Sequence, residues 1–221
     1  MGKIISKEKN KMQIETLALG PVQANCYIVT DEKTNDAAVV DCGEFTNSLK
    51  EKLEGKNLKY IFLTHGHYDH ILGVYDLKKA YPDAKIVIHK DEEYRLLDEL
   101  PSFAHEMMPG VQQYVPADIT VEDGDKISFG GIEVTVLHTP GHSKGGVCYF
   151  VEDERTIFTG DTLFCLTVGR MDFFDGSEDE MLESITRLYN MPGDYDIYPG
   201  HNRATTMEYE KRRNRYMRRF K

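Results

Sequence analysis

The chain lacks several things that would settle its class at once. Its four cysteines (Cys26, Cys42, Cys148, Cys165) form no CxxC pair. A chain of 221 residues buries a full core without disulfide staples, and three of the four lie in or beside strand-like segments, so buried reduced thiols are expected. No apolar run approaches the roughly 20 residues needed to span a bilayer. The Lys-rich stretch 1–11 has no apolar core of the kind a secretory signal carries, so it reads as a disordered polar tail and a cytoplasmic setting is expected. Low-complexity linkers and fixed-period repeats are also missing, which leaves one domain over residues 12–221. Cations are in the minority: 27 Lys and Arg face 37 Asp and Glu, a formal net charge of -10. That balance argues against nucleic-acid and membrane partners and for a small-molecule one. An anionic substrate stays open, because bound metal ions reverse the field locally. Nothing fixes the oligomeric state.

What the chain does have is alternation. Short strands read over Met12–Leu19, Asn25–Thr30 and Ala37–Asp41, a capped helix from Thr46 or Asn47 to about Glu54, and a strand over Leu58–Leu63. Gly73–Tyr81 is helical in pattern and ends at Pro82; Lys85–His89 is a strand and Asp91–Leu100 a charged amphipathic helix. Periodicity then fails over residues 101–116, an apolar-rich segment that is either a loop on the core or a lid over a site. Strands Ile127–Phe129 and Ile132–His138 form a hairpin about Gly130-Gly131. Strands Gly146–Val151, Thr156–Thr159 and Tyr195–Tyr198 follow, with helices over Glu178–Tyr189 and Ala204–Tyr216. The pattern predicts an α/β (α+β) fold of two packed sheets with helices outside.

Chemistry concentrates in Thr64-His65-Gly66-His67-Tyr68-Asp69-His70, directly after an apolar strand. Three imidazoles and a carboxylate on one turn are costly to gather unless a cation organises them. In an extended loop His65 and His67 point the same way, whereas Asp69 and His70 point apart and can serve a second ion. Further donors must come from elsewhere. Three stand at strand ends in Gly-bearing turns: His142 in Thr139-Pro140-Gly141-His142, Asp161 in Thr159-Gly160-Asp161, and His201 in Tyr198-Pro199-Gly200-His201. Of the other histidines, His138 can support the site, His89 ends a strand, and His105 sits in the 101–116 segment, where, if that segment is a lid, it is expected to meet substrate.

The ordered set His65-x-His67-x-Asp69-His70, His142, Asp161, His201 resembles that of the metallo-β-lactamase-fold hydrolases, and among them the short branch similar to hydroxyacylglutathione hydrolase (glyoxalase II). The resemblance implies an αββα sandwich of two mixed sheets flanked by helices. It places one metal on His65, His67 and His142 and the other on Asp69, His70 and His201, with Asp161 bridging. About twenty residues follow His201, where full glyoxalase II enzymes carry a glutathione-gripping helical domain. Gly169-Arg170-Met171-Asp172-Phe173 is similar to a Gly-Arg-Thr-Asp-Phe segment of that branch, which makes Arg170 a contact for a substrate carboxylate. Leu166-Thr167 stands where small residues are usual.

The expected activity is a dinuclear hydrolase that cleaves a hydroxyacylglutathione-like thioester, or an ester or lactone, by attack of a metal-activated hydroxide. Asp161 and Asp69 hold the nucleophile. The expected ions are zinc, with iron or manganese as substitutes. Two alternatives differ in class. One is a mononuclear iron persulfide dioxygenase built on His65, His142 and Asp161. The other is a binding module that keeps the fold without chemistry.

Overall fold

The structure is a computed structural model that describes residues 12–220; the tail expected over residues 1–11 lies outside the described residues. In chain order the first half comprises β1 (Met12–Leu19), β2 (Ala24–Asp31), β3 (Asp36–Val40), α1 (Asn47–Leu53), β4 (Asn57–Phe62), α2 (Tyr68–Ile71), α3 (Val74–Ala80), β5 (Lys85–His89), α4 (Ala104–Met107) and β6 (Ile119–Val121). The second half comprises β7 (Lys126–Phe129), β8 (Ile132–His138), β9 (Val147–Val151), β10 (Thr156–Gly160), β11 (Leu163–Phe164), β12 (Thr167–Val168), α5 (Glu178–Tyr189), β13 (Asp196–Pro199), β14 (Thr205–Thr206) and α6 (Met207–Arg213).

Two six-stranded mixed sheets result. The first runs in the order β1-β2-β3-β4-β5-β6, with its first three strands antiparallel and β3 to β6 parallel. Parallel neighbours need long crossovers, which α1 supplies between β3 and β4 and α2 with α3 between β4 and β5. The second sheet runs β14-β13-β10-β9-β8-β7 and is antiparallel except for β10 beside β13, whose crossover is α5.

Residue alternation sorts the layers. Along β2, Tyr27 and Val29 face the second sheet, where they join Val40, Phe62, Val134, Tyr149 and Phe158. Cys26 and Ile28 point the other way, into a layer closed by Leu49 and Leu53 of α1 and Val74 and Leu77 of α3. Ile157 and Ile197 do the same on the far side under Met181, Ile185 and Leu188 of α5. The αββα sandwich is thus observed. Its four cysteines are free thiols, three of them buried, and burial pushes the Cys148 thiol up to about 11.

Three local expectations change. Asp91–Leu100 is not a full helix: only Glu93–Leu96 forms a 3-10 turn, because Arg95 is drawn wholly into the interior against Glu92 (Nε to Oε2, 3.0 Å). The last helix starts late, since Thr205-Thr206 first pairs with β13 and Thr206 then caps α6 by accepting the Tyr209 amide. The strand β6 and the β11–β12 hairpin are additions.

The strand ends that carry the ligand-type residues meet at one edge and are stitched together there. The Val147 amide donates to the Thr64 carbonyl (2.9 Å), Gly200 to Gly160 (2.7 Å), and Asn25 to Gly200 (2.7 Å). The first and third bonds tie the first sheet to the second around the site, and the Gly200–Gly160 bond joins the ends of β13 and β10 within the second.

Candidate metal centre

Four loops leaving β4, β8, β10 and β13 deliver the seven residues singled out in the sequence. His65 and His67 lie on the extended turn after β4, but Asp69 and His70 lie on the single-turn α2. In that curled backbone they converge rather than point apart: His70 Nε2 is 3.5 Å from Asp69 Oδ2. His142 follows β8, Asp161 caps the end of β10, and His201 follows β13. Gly200 is obligatory here, since a Cβ at that position would lie 2.2 Å from Asp161 Oδ1.

The donor atoms fall into three groups, each within 4.8 Å: His65 with His67 and His142, His65 with His70 and Asp161, and Asp69 with His70 and His201. Asp161 connects the groups, its Oδ1 3.4 Å from His70 Nε2 and its Oδ2 3.4 Å from His142 Nε2 and 3.6 Å from His201 Nε2. Asp69 Oδ2 is 3.1 Å from His201 Nε2.

Neighbouring groups fix which nitrogen faces inward for His70 and His142. The Asp41 carboxylate accepts from His70 Nδ1 (2.8 Å), from the Thr64 hydroxyl (2.7 Å) and from the Thr64 amide (2.8 Å). His142 Nδ1 donates to the Arg170 carbonyl (2.9 Å), which turns Nε2 into the site. Anchoring one imidazole nitrogen on a carboxylate or carbonyl is the usual way a metal-binding histidine is oriented.

The electrostatics call for a cation. With Nδ1 committed to Asp41, a neutral His70 would aim its Nε2 lone pair at two carboxylates. Burial opposes a charge on His70, but Asp69, Asp41 and Asp161 outweigh it and hold its pKa well above the ordinary value. Burial would raise the Asp161 carboxyl, yet His70 and His142 hold it far below the usual range. His65 and His67 are pushed the other way, well below the ordinary imidazole value, by burial and by the neighbouring imidazoles. Buried His65 Nε2, His67 Nε2, His70 Nε2 and Asp161 Oδ1 have no hydrogen-bond partner. Orphaned imidazole nitrogens beside carboxylates suit divalent ions, which accept such donors at about 2.0–2.2 Å.

A cavity of about 540 Å³ opens over this cluster. Its floor includes His67, Asp69, His142, Asp161 and His201, and its walls Val22, Phe103, Met107, Phe164 and Phe173. Segment 101–116 therefore forms one wall. His105 does not reach the cavity as expected. Its ring turns outward to Glu99 (Nδ1 to Oε1, 3.3 Å), and Phe103, Glu106 and Met107 take its place. Arg170 stands at the rim, exposed, in a two-point pair with Asp172 (2.9 and 3.0 Å). His138 lies away from the cavity, stacked on His89 with ring centres 4.4 Å apart.

Sequence reasoning missed two supporting groups. Asp41 directly follows β3 in Asp41-Cys42-Gly43, the same strand-end, Gly-bearing setting that flagged Asp161, so the signal was present. The buried pair Glu92–Arg95 gave none. Glu92 accepts the amides of Gly66 (2.9 Å) and Gly145 (2.8 Å), and Arg95 reaches Asp175 and the Pro101 carbonyl. This one network braces both histidine loops and the cavity wall.

Comparison with known proteins agrees with this geometry. Residues 19–201 match the model of the metallo-beta-lactamase superfamily. A hydroxyacylglutathione hydrolase of Haemophilus influenzae is 31% identical over 210 residues, covering 93% of this chain and 98% of that protein. Among solved structures, the B3 metallo-beta-lactamase BLEG-1 superposes with a TM-score of 0.87 at 28% identity, covering 93% of this chain and 99% of the other. A protein crystallised in a di-iron-bound form, TTHA1623, gives a TM-score of 0.79 at 29% identity, covering 91% and 99%. By matched length, shared fold and converging histidines and aspartates, this chain belongs to the metallo-beta-lactamase superfamily.

Proposed function

We propose that the protein is a dinuclear metal-dependent hydrolase that cleaves a thioester of a small thiol, similar to hydroxyacylglutathione. The observation that carries this is the pair of donor groups joined through Asp161, with buried, unpartnered imidazole nitrogens facing inward. His65, His67 and His142 would hold one ion, Asp69, His70 and His201 the other, and Asp161 would touch both. Zinc fits this mixed imidazole and carboxylate set, and iron or manganese substitutes according to supply. When bound, the ions supply Lewis acidity and lower the pKa of water towards about 7.

The chain's own residues do the rest. Asp69 and Asp161 orient the attacking water towards the acyl carbon, and Asp69 accepts its proton. A carbon–oxygen bond forms, the carbon–sulfur bond breaks, and the thiolate leaves with the electron pair, so no separate general acid is required. Asp41 and the Arg170 carbonyl keep His70 and His142 aimed throughout. The apolar walls lower the polarity beside the reacting carbon, which strengthens the interactions there.

Metal analysis of protein purified from its own host, followed by assay of S-lactoylglutathione and other thioesters, tests the reading. Two ions per chain and thioester cleavage are expected. His142→Ala and Asp161→Ala should each lower metal content and cut kcat by about 10³-fold or more, the scale of losing a main electrostatic contributor. Full activity with full metal in either variant would overturn the assignment. One iron per chain with oxygen uptake on glutathione persulfide would replace it with the dioxygenase reading.

A further inference from the structure

We infer that the cavity is built to receive an apolar acyl group, packed against the paired rings of Phe103 and Phe173. This rests on the thioester reading and names the half of the substrate that reading leaves open. Phe103 sits at φ +64°, a left-handed conformation that a bulky residue rarely holds. Such strain persists where the surroundings over-determine it, and here they do. The Phe103 amide donates to the Leu100 carbonyl (3.1 Å), and the preceding Ser102 carbonyl accepts the Tyr68 amide (2.9 Å). The strained backbone places the Phe103 ring 5.1 Å from His67 and 4.8 Å from Phe173. Phe173, from a segment far away in sequence, lies 4.8 Å from His67 and 5.2 Å from His142. Both rings are half-buried and line the cavity beside the centre.

The charges point the same way. Polar groups of the lining away from the metal-type residues are exposed Glu106, Arg170 and Asn202 at the rim and the buried Tyr68. Arg170 is already engaged, paired at two points with Asp172 and lying 4.7 Å over the Phe173 ring. The wall residues Val22, Phe103, Met107, Phe164 and Phe173 carry no side-chain N–H, O–H or carbonyl with which to hydrogen-bond a 2-hydroxyl of the acyl group. A buried hydroxyl without a partner is penalised, whereas each methylene removed from water is rewarded.

The test is a series of glutathione thioesters with the metal-loaded enzyme: acetyl, butanoyl, hexanoyl, and the near-isosteric pair lactoyl and 2-methylpropanoyl. In the wild type, kcat/KM should rise about two- to fourfold per added methylene, and 2-methylpropanoyl should exceed lactoyl by about tenfold. Phe173→Ala should flatten the rise. Phe103→Gly, which relieves the left-handed strain, should fold normally and flatten it too. A flat wild-type series, preference for lactoyl, or an equal loss on every substrate in both variants would overturn the inference. If no thioester is cleaved, the thioester reading fails by itself. Saturation-transfer NMR of the free acids then decides this one: hexanoate bound about tenfold tighter than lactate supports an apolar pocket, and equal binding refutes it.

Discussion

Asp41 shows how one carboxylate outside the cluster governs it. Its two oxygens accept three donors: the Thr64 amide, the Thr64 hydroxyl and His70 Nδ1. Asp41→Ala would leave those buried donors unmatched and free His70 to rotate, so the second ion should bind 10–100-fold more weakly by chelator competition. Wild-type affinity in that variant would mean that packing alone orients the ring. The ligand-type residues themselves were legible in the sequence because each lies in a compact local motif. The convergence of Asp69 and His70 was not, because it depends on whether the run stays extended or curls into α2. His105 misled for a related reason. Being in the right segment does not fix which neighbour faces the cavity, and the single-turn α4 turns Phe103, Glu106 and Met107 there instead.

At the scale of elements, the buried ion pair of Glu92 and Arg95 joins parts that share no sheet. Both side chains are fully buried, and the pair reaches the His65–His67 turn, the loop of His142, the cavity wall at Pro101 and the segment of Asp175. Arg95→Ala strands the Glu92 charge, a change that costs about 3–5 kcal/mol. In a chain of this size that lowers Tm by on the order of 10 °C. Replacing both partners, Glu92→Gln with Arg95→Met, should recover more than half of the loss. An unchanged Tm in Arg95→Ala would remove the network from the account of stability. The same pair explains why Asp91–Leu100 looked helical: charges three and four apart normally decorate a solvated helix, and nothing local announces that one will turn inward. The central strands were legible because burial on both faces leaves a near-continuous apolar run, whereas the two-residue strands β11, β12 and β14 leave almost no pattern.

For the whole molecule, gathering these imidazoles sets how stability varies with pH once metal is stripped by a chelator. His65 and His67 have folded pKa values well below the ordinary 6.5, through burial and then neighbouring imidazoles. Below pH 6.5 the unfolded chain binds protons there that the folded one refuses, so stability falls as pH falls, by at most about 1.4 kcal/mol per proton per pH unit. His70 has the opposite sign: its folded value is raised, so its contribution is complete below pH 6.5 and is lost as pH rises towards that value. Asp69 and Asp161, held low, contribute fully above their ordinary value of 3.8 and drop out of this window. The metal-free protein should therefore be most stable near pH 6.5, with Tm declining on both sides between pH 5 and pH 8. His70→Ala should abolish the decline on the alkaline side while leaving in place the acid limb, to which His65, His67 and the buried His89 contribute. A Tm that rises steadily from pH 5 to pH 8 in the stripped wild type would show that the imidazoles do not share the buried cluster from which their opposed shifts arise.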